Sequence, residues 1–426
     1  EITCRDWSSD VCSSDLSRLA LLARRSSGLT LVAAVTSAAL FEVRAEDWPR
    51  YRGPNLDGIS RESGWSVDWP ATGPTQLWKS NVGIGFSSIS VADGRAYTMG
   101  NRDDQDTVYC FDAATGKVLW QHSYPCKLDP KYYDGGPSAT PTVDGGRVYT
   151  LSKEGELFCL EAADGKVVWN VNLAKDLGAK KPTWGFSSSP LIEGDVLYVN
   201  VGTRGTALDK NSGKTIWTTG DEAAGYSSFV PFTMGATRGM ALFAARTVTA
   251  VNPDNGNELW SYPWKTSYDV NAADPIVSGD LVFISSGYNH GAALLRIVDG
   301  KPERIWENKQ MRNQHNNCVL IDGALYGIDG DDNKAELKCL DFKTGQVKWS
   351  QKGLGKGALM AADGKLIVIS EKGELVIAAA DPTAFKPLAR WHVLGGKCWT
   401  MPVLSHGRIY CRNAAGDLVC VDVSGK

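Results

Sequence analysis

Three stretches of the chain place two small hydroxyl side chains directly after an aromatic ring. They are Gly85-Phe86-Ser87-Ser88, Gly185-Phe186-Ser187-Ser188 and Gly225-Tyr226-Ser227-Ser228. Hydroxyls so placed can hold a polar ligand, or they can satisfy backbone groups where strands crowd together; the residue types alone fit both. Other side chains fall at comparable places further along. Asn271, His315 and Asn316 offer amide and imidazole groups, Trp184 and Trp399 offer stacking surface, and Lys356 and Lys397 offer cations. With Ser87, Ser88, Ser187, Ser188, Tyr226 and Ser227 they form the candidate binding set for a polar small molecule or a protein partner.

Catalytic signatures are thin beside this set. The chain has no P-loop, no H-E-x-x-H and no G-x-S-x-G. His122, His290, His315, His392 and His406 lack ligand spacing, so no metal site is expected. The run Asp329-Gly330-Asp331-Asp332-Asn333 is as acidic as a calcium loop but lacks the spaced bidentate Glu, and reads as an exposed hairpin tip. A net charge of −3 without a basic stripe gives no footing for nucleic acid.

The elements that must position these residues announce themselves by repetition. Tryptophan recurs at Trp78, Trp120, Trp169, Trp217, Trp260, Trp306, Trp349 and Trp391. Spacings of this order suit a four-stranded propeller blade. Five of these residues close a common phrase: DAATGKVLW, EAADGKVVW, DKNSGKTIW, NPDNGNELW and DFKTGQVKW, each with Gly four residues before the Trp. The leading Asp or Asn can cap a turn, and the Gly supplies the positive φ that the turn needs. Asp299 to Trp306 and Asp381 to Trp391 depart from the phrase, the second with two prolines. A second hairpin, with Asp-Gly or Gly-Asp steps between alternating apolar residues, precedes each phrase, as in VADGRAYTMG (91–100) and VDGGRVYTLS (143–152); Met234 to Ala245 stands in for the weakest copy.

Both hairpin and Trp strand count to eight, but offset. Gln76-Leu77-Trp78 comes before any complete unit, and the chain stops where the last unit needs its Trp strand. The expected fold is therefore all-β: an eight-bladed β-propeller of four-stranded antiparallel blades spanning residues 76–426, closed by an N-terminal strand that completes the last blade. Residues 46–75 form an N-terminal extension. The loops between blades would then gather the candidate set around one mouth of the central channel.

Most cysteines have a plain reading. Cys110, Cys159, Cys339 and Cys420 share one repeat position, which Ala207 and Ala250 fill elsewhere, so the site takes a small buried side chain. If Ala415-Gly416 is the hairpin turn, Cys411 and Cys420 lie directly opposite, as a cross-strand disulfide or as a pair of thiols.

These phrases resemble the A-x-D-x-x-[TS]-G-K-x-x-W signature of pyrroloquinoline quinone (PQQ)-type propeller repeats over residues 76–426. The segment from Asp47 to Gly58, DWPRYRGPNLDG, is also similar to the opening of exported members of that family. The resemblance implies that each Trp docks on the neighbouring blade's Gly turn. It also implies one of two functions: a non-catalytic scaffold such as the propeller lipoprotein of outer-membrane protein assembly, or a PQQ-dependent quinoprotein oxidoreductase of the alcohol or sugar dehydrogenase type, with PQQ and calcium as cofactors. Those dehydrogenases carry a vicinal Cys-Cys lid, which this sequence lacks, as it lacks C-x-x-C-H for haem. The expectation is thus a binding or assembly scaffold, with no assigned catalysis or cofactor.

Residues 1–16 look like translated cloning or adapter sequence. Residues 17–45 read as a signal peptide, with Arg18, Arg24 and Arg25 ahead of the apolar run Gly28 to Phe41, which is short for a membrane span. The mature chain is expected to be periplasmic or secreted, with no membrane span.

Overall fold

A computed structural model describes residues 45–131, 133–332 and 334–425; the expected leader and signal peptide lie outside the described residues. Eight sheets make up the fold, each with four antiparallel strands, and one gains a fifth. Blade 1 runs Ser90–Ala92, Arg95–Arg102, Gln105–Asp112 and Val118–Pro125 from the axis outward. The inner strands of blades 2 to 8 are Thr142–Asp144, Leu191–Glu193, Val230–Met234, Ile276–Ser278, Val319–Ile321, Ala358–Ala362 and Val403–Ser405. The outer strand of blade 8 is Gln76–Asn81, paired antiparallel with Asp417–Asp422, so the two ends of the propeller meet in one sheet as expected. Buried Arg412 pins this seam, donating to the carbonyl oxygens of Gly83, Ser87 and Met99 and to Thr98 Oγ1.

The recurring phrase folds for reasons visible in blade 1. Asp112 Oδ1 accepts from Ala114 N, Thr115 N and Thr115 Oγ1, which locks the turn. Gly116, at φ 71°, then closes it by donating to Asp112 O. A bulge at Leu119 follows, and Trp120 comes to lie opposite Cys110, which in turn lies opposite Tyr97. The same Tyr–small–Trp row crosses four more blades: Tyr149–Cys159–Trp169, Tyr198–Ala207–Trp217, Tyr326–Cys339–Trp349 and Tyr410–Cys420–Trp78. A small middle residue lets the two rings meet above it at centroid distances of 5.9–6.1 Å.

Each indole then reaches the next blade. Trp78, Trp120, Trp169, Trp217, Trp306 and Trp349 donate Nε1–H to Ala113, Ala162, Lys210, Pro253, Phe342 and Asp381 carbonyls. The turn glycine lies so close to the ring that a Cβ on Gly116 or Gly165 would sit 2.5–2.6 Å from it. Two blades depart, as their sequences do. Blade 5 turns tightly at Asp299-Gly300, where a Cβ on Gly300 would meet nothing within 4 Å, and Trp260 of blade 4 finds no acceptor for its buried Nε1. In blade 7 the bulge falls at Leu388, so Ala389 stands at the usual tryptophan position and Trp391 packs on Gly73 from two residues further on.

The cysteine pair is corrected. Asn413 N bonds Asp417 O across a three-residue turn, Ala414 to Gly416, with Gly416 at φ 93°. That extra turn residue moves the register by one: Cys411 faces Val419 and Cys420 faces Tyr410, so the two point to opposite faces. Both are free, buried thiols.

The N-terminal extension is a strap that reaches every blade. Trp48 exchanges backbone bonds with Val91 of blade 1, and Val143 N of blade 2 donates to Pro49 O. Arg50 reaches Ile192 O of blade 3. Asn55 and Leu56 face Val230 and Ile276 of blades 4 and 5 across a small cavity. Arg52 donates to Cys318 O beside blade 6, and Ile59–Ser60 adds the fifth, parallel strand to blade 7. The Glu62 carboxylate accepts from His406 N and Gly407 N of blade 8. The strap closes one end of the channel.

Candidate functional site

Two residues ahead of six inner strands stand Ser88, Thr140, Ser189, Ser228, Asp274 and Asn317. They form a ring of backbone-to-side-chain bonds around the axis. Ser88 N donates to Thr140 Oγ1 (3.1 Å), Thr140 N to Ser189 Oγ (2.9 Å), Ser189 N to Ser228 Oγ (3.0 Å), Ser228 N to Asp274 Oδ1 (2.7 Å) and Asp274 N to Asn317 Oδ1 (2.5 Å). Each bond satisfies a buried N–H where no strand partner is available. By the same count, Lys356 and Met401 hold the corresponding places in blades 7 and 8.

Above this ring opens a cavity of about 250 Å³. Its wall is largely aromatic: Phe86, Tyr133, Trp184, Tyr226, Tyr288 and Trp399. Its floor is the strap's Tyr51, whose hydroxyl accepts from Asn317 Nδ2 at 3.2 Å, together with Asp274. Burial raises the Asp274 carboxyl to about 6, against the opposing pull of the Arg52 guanidinium.

Trp399 is the best-fixed ring. Its Nε1–H donates to Glu371 Oε1 at 3.0 Å, and His315 and Phe86 stack with it at 4.9 and 5.6 Å. Lys356 Nζ sits 4.2 Å and Lys397 Nζ 4.6 Å from the ring centroid. Lys397 is paired with Asp134 at 2.5 Å, whereas the Lys356 ammonium has no ion-pair or hydrogen-bond partner among the described residues. Burial and the two lysines push the His315 imidazole down to about 3, so it is neutral at ordinary pH.

Of the residues read from the sequence, the structure brings Ser88, Trp184, Ser187, Tyr226, His315, Asn316, Lys356 and Trp399 into the cavity wall, and Lys397 stands behind Trp399. Four others do not line it. Ser87, Ser188 and Ser227 turn into the blades, where their oxygens accept from Met99 N, Asn200 N and Phe243 N. Asn271 braces the loop after blade 4, donating to Ala244, Ala245 and Trp264 carbonyls and accepting from Ser286 Oγ. In those three loops the serine pairs therefore divide between backbone service and cavity lining. The loop at 185–189 also holds one more residue than its copies, so Ser188 and Ser189, not Ser187 and Ser188, match Ser87 and Ser88. Asp274, Tyr51, Thr140 and Ser189 were missed, and Ser228, whose loop was noted, joins the lining. Counting two residues back from each inner strand would have found all of them except Tyr51, which lies on the strap.

The remaining sequence candidates are engaged elsewhere. Asp329 is held by Arg312 (2.8 Å to each carboxylate oxygen) and Lys338 (2.6 Å), and Asp331 accepts from Tyr288 N. Among the described residues no three His, Cys, Asp or Glu side chains converge on a common point. Among the described residues the only carboxylate lining the cavity is Asp274, and its two oxygens already accept from Ser228 N and Asn317 Nδ2. The wall thus supplies cations and rings that suit a flat anion and a thin donor set for a divalent metal.

Comparison with known proteins agrees with this architecture. The sequence family described as outer membrane protein assembly factor BamB matches residues 62–128 and 104–351, more than half of the chain. No curated protein matches the sequence. Among solved structures, BamB from Moraxella catarrhalis is similar at TM-score 0.58 and 17% identity, covering 82% of this chain and 97% of that one. The quinohemoprotein alcohol dehydrogenase from Comamonas testosteroni gives TM-score 0.65 at 15% identity, covering 89% and 81%. A europium-containing methanol dehydrogenase gives 0.66 at 15%, covering 87% and 90%. At these identities the likeness is one of fold.

Proposed function

The chain belongs to the PQQ-like repeat propeller family described as outer membrane protein assembly factor BamB, and from that premise we propose that it is an exported binding or assembly scaffold of the cell envelope. Its recognition face is the open channel mouth. The observation that carries this reading is the blind cup: a cavity walled by rings from several blades, floored by the strap, and lined by a single carboxylate. Such a site is suited to recognise and hold, and among the described residues no three His, Cys, Asp or Glu side chains gather to hold a metal ion. Rim aromatics Trp184, Tyr226 and Trp399 supply large contact area at small entropic cost, the usual make-up of a binding hot spot.

The test is capture from envelope extract on immobilised protein, wild type against Trp184→Ala/Trp399→Ala, with circular dichroism showing both folded. Partners held by the wild type and released by the variant support the reading. Alcohol-dependent reduction of added PQQ with Ca²⁺ would replace it with the quinoprotein oxidoreductase reading.

A further inference from the structure

We infer that the cup binds a small acidic sugar: one hydroxylated ring bearing a single carboxylate or phosphate. This rests on the channel mouth being the recognition face and names what enters it. Thr140, Ser189 and Ser228 each accept an N–H from the preceding blade, and none donates its own hydroxyl proton to any described group. A hydroxyl that accepts still has a proton to give. All three line the cavity, so three donors and the Asp274 carboxylate acceptor stand around one circle. A ring with several hydroxyl groups, each able to give and to receive, matches that alternation.

The wall and the cation narrow the choice. Aromatic faces carry negative charge density that attracts the C–H edges of a sugar ring. A flat aromatic acid would stack as well, but would leave the three hydroxyl protons and Asp274 unmatched, at the cost of unmade buried hydrogen bonds. A neutral sugar would cover the Lys356 ammonium, which feels the Glu371 carboxylate but pairs directly with no described group, without giving it a partner. An inorganic anion would leave the aromatic wall unfilled. The volume, about 250 Å³, has room for one ring and its substituents.

Tryptophan fluorescence titration of the full protein tests this with glucuronate, glucose 6-phosphate, glucose, acetate and PQQ with Ca²⁺. Saturable quenching by glucuronate or glucose 6-phosphate, at least about tenfold tighter than by glucose and absent with acetate, is expected. The stronger of the two acids identifies the anionic group. Lys356→Met should reduce the acid to the affinity of glucose, and Lys356→Arg should restore part of it. Ser189→Ala/Ser228→Ala should weaken acid and neutral sugar alike. The assignment is overturned if neither acid quenches in the millimolar range, if Lys356→Met binds as the wild type does, or if PQQ binds and displaces the acid. Partner capture by the same preparation of wild-type protein keeps the two readings apart. Capture without acidic-sugar binding removes only the ligand; sugar binding without capture removes only the scaffold.

Discussion

At the outer girdle, five indoles donate to the same turn carbonyl of the next blade and Trp349 to the carbonyl one residue further on, with a Cys or Ala at one repeat position in five of the eight sheets. At the channel ring, the same blades meet through Ser, Thr, Asp and Asn side chains, with Lys356 at the corresponding place in blade 7. Both ring systems join neighbours, yet one repeats a single solution and the other varies it. The girdle bonds are local to a turn whose geometry is fixed by Asp, Thr and Gly, so copying the phrase copies the joint. The ring asks of each blade only an acceptor for one backbone N–H. Any short polar side chain meets that need, and the free remainder of each side chain can serve a ligand.

The contrast is broken most severely by removing what closes both systems. Deleting residues 46–80 takes away all but the last residue of the outer strand of blade 8, the Gly73 on which Trp391 packs and the Tyr51 of the cavity floor together. It also removes Trp48, Trp65 and Trp78, all buried, each worth about 3–5 kcal/mol as a truncation. We expect loss of cooperative unfolding, or a melt at least about 10 °C lower, by calorimetry. A variant that melts like the parent would mean that blade 8 closes without its fourth strand.

Next in size is a pair of glycine substitutions that separates girdle packing from turn conformation. Gly165→Ala places a Cβ 2.6 Å from the Trp120 ring at φ 75°, and Gly94→Ala meets nothing within 4 Å at φ 71°. Left-handed backbone alone costs about 1–2 kcal/mol, and overpacking adds about 1–3 kcal/mol. Urea unfolding should show Gly165→Ala losing clearly more than Gly94→Ala. Equal losses would show that the turns, and not their contact with the indoles, carry the girdle.

How much of this was legible follows from the same contrast. The girdle could be read because its residues recur at one spacing, and counting hairpins against tryptophans exposed the shared blade. Blade 5 shows that even the failures were informative: the phrase that departs in sequence is the one that leaves Trp260 without an acceptor. The ring was read only in part, since one inserted residue at 185–189 displaced the serine alignment and Asp274 carries no phrase around it. The strap could not be read at all. Residues 46–75 do not repeat, and their partners lie up to 359 positions away, as Glu46 O to Ser405 Oγ does. The Cys411 register failed on a single turn residue, which flips a strand's faces.

The ring differs from the girdle in the sign of its pH dependence: turn bonds hold Asp112 and Asp209 of the girdle below the usual carboxylate range, whereas burial raises Asp274 of the ring. Asp274 has its folded value raised to about 6 from 3.8. A raised carboxyl contributes stability in full below about pH 4, and loses it as the pH rises through about 6. Wild type should therefore lose up to about 3 kcal/mol more than Asp274→Asn between pH 4 and 7, by urea unfolding across that range. Parallel curves would mean that the ring treats Asp274 as it treats its serines.

The smallest effect sharpens the girdle itself. Trp217 donates to Pro253 O at 2.8 Å, while the Trp260 indole N–H has no acceptor; both rings are otherwise buried against the neighbouring blade. Phenylalanine keeps most of the apolar contact and removes the donor. Trp217→Phe then leaves Pro253 O with only the longer bond from Tyr198 Oη (3.3 Å), whereas Trp260→Phe removes no bond, so the first should cost up to about 1 kcal/mol more than the second. Denaturant midpoints of the two variants measure this difference at unchanged slope. If the two fall together, the indole N–H adds nothing to the joint, and the girdle is held by ring packing on glycine. Tryptophan would then be selected at these positions for its area, and the shared carbonyl acceptor would follow from the turn's shape without contributing to stability.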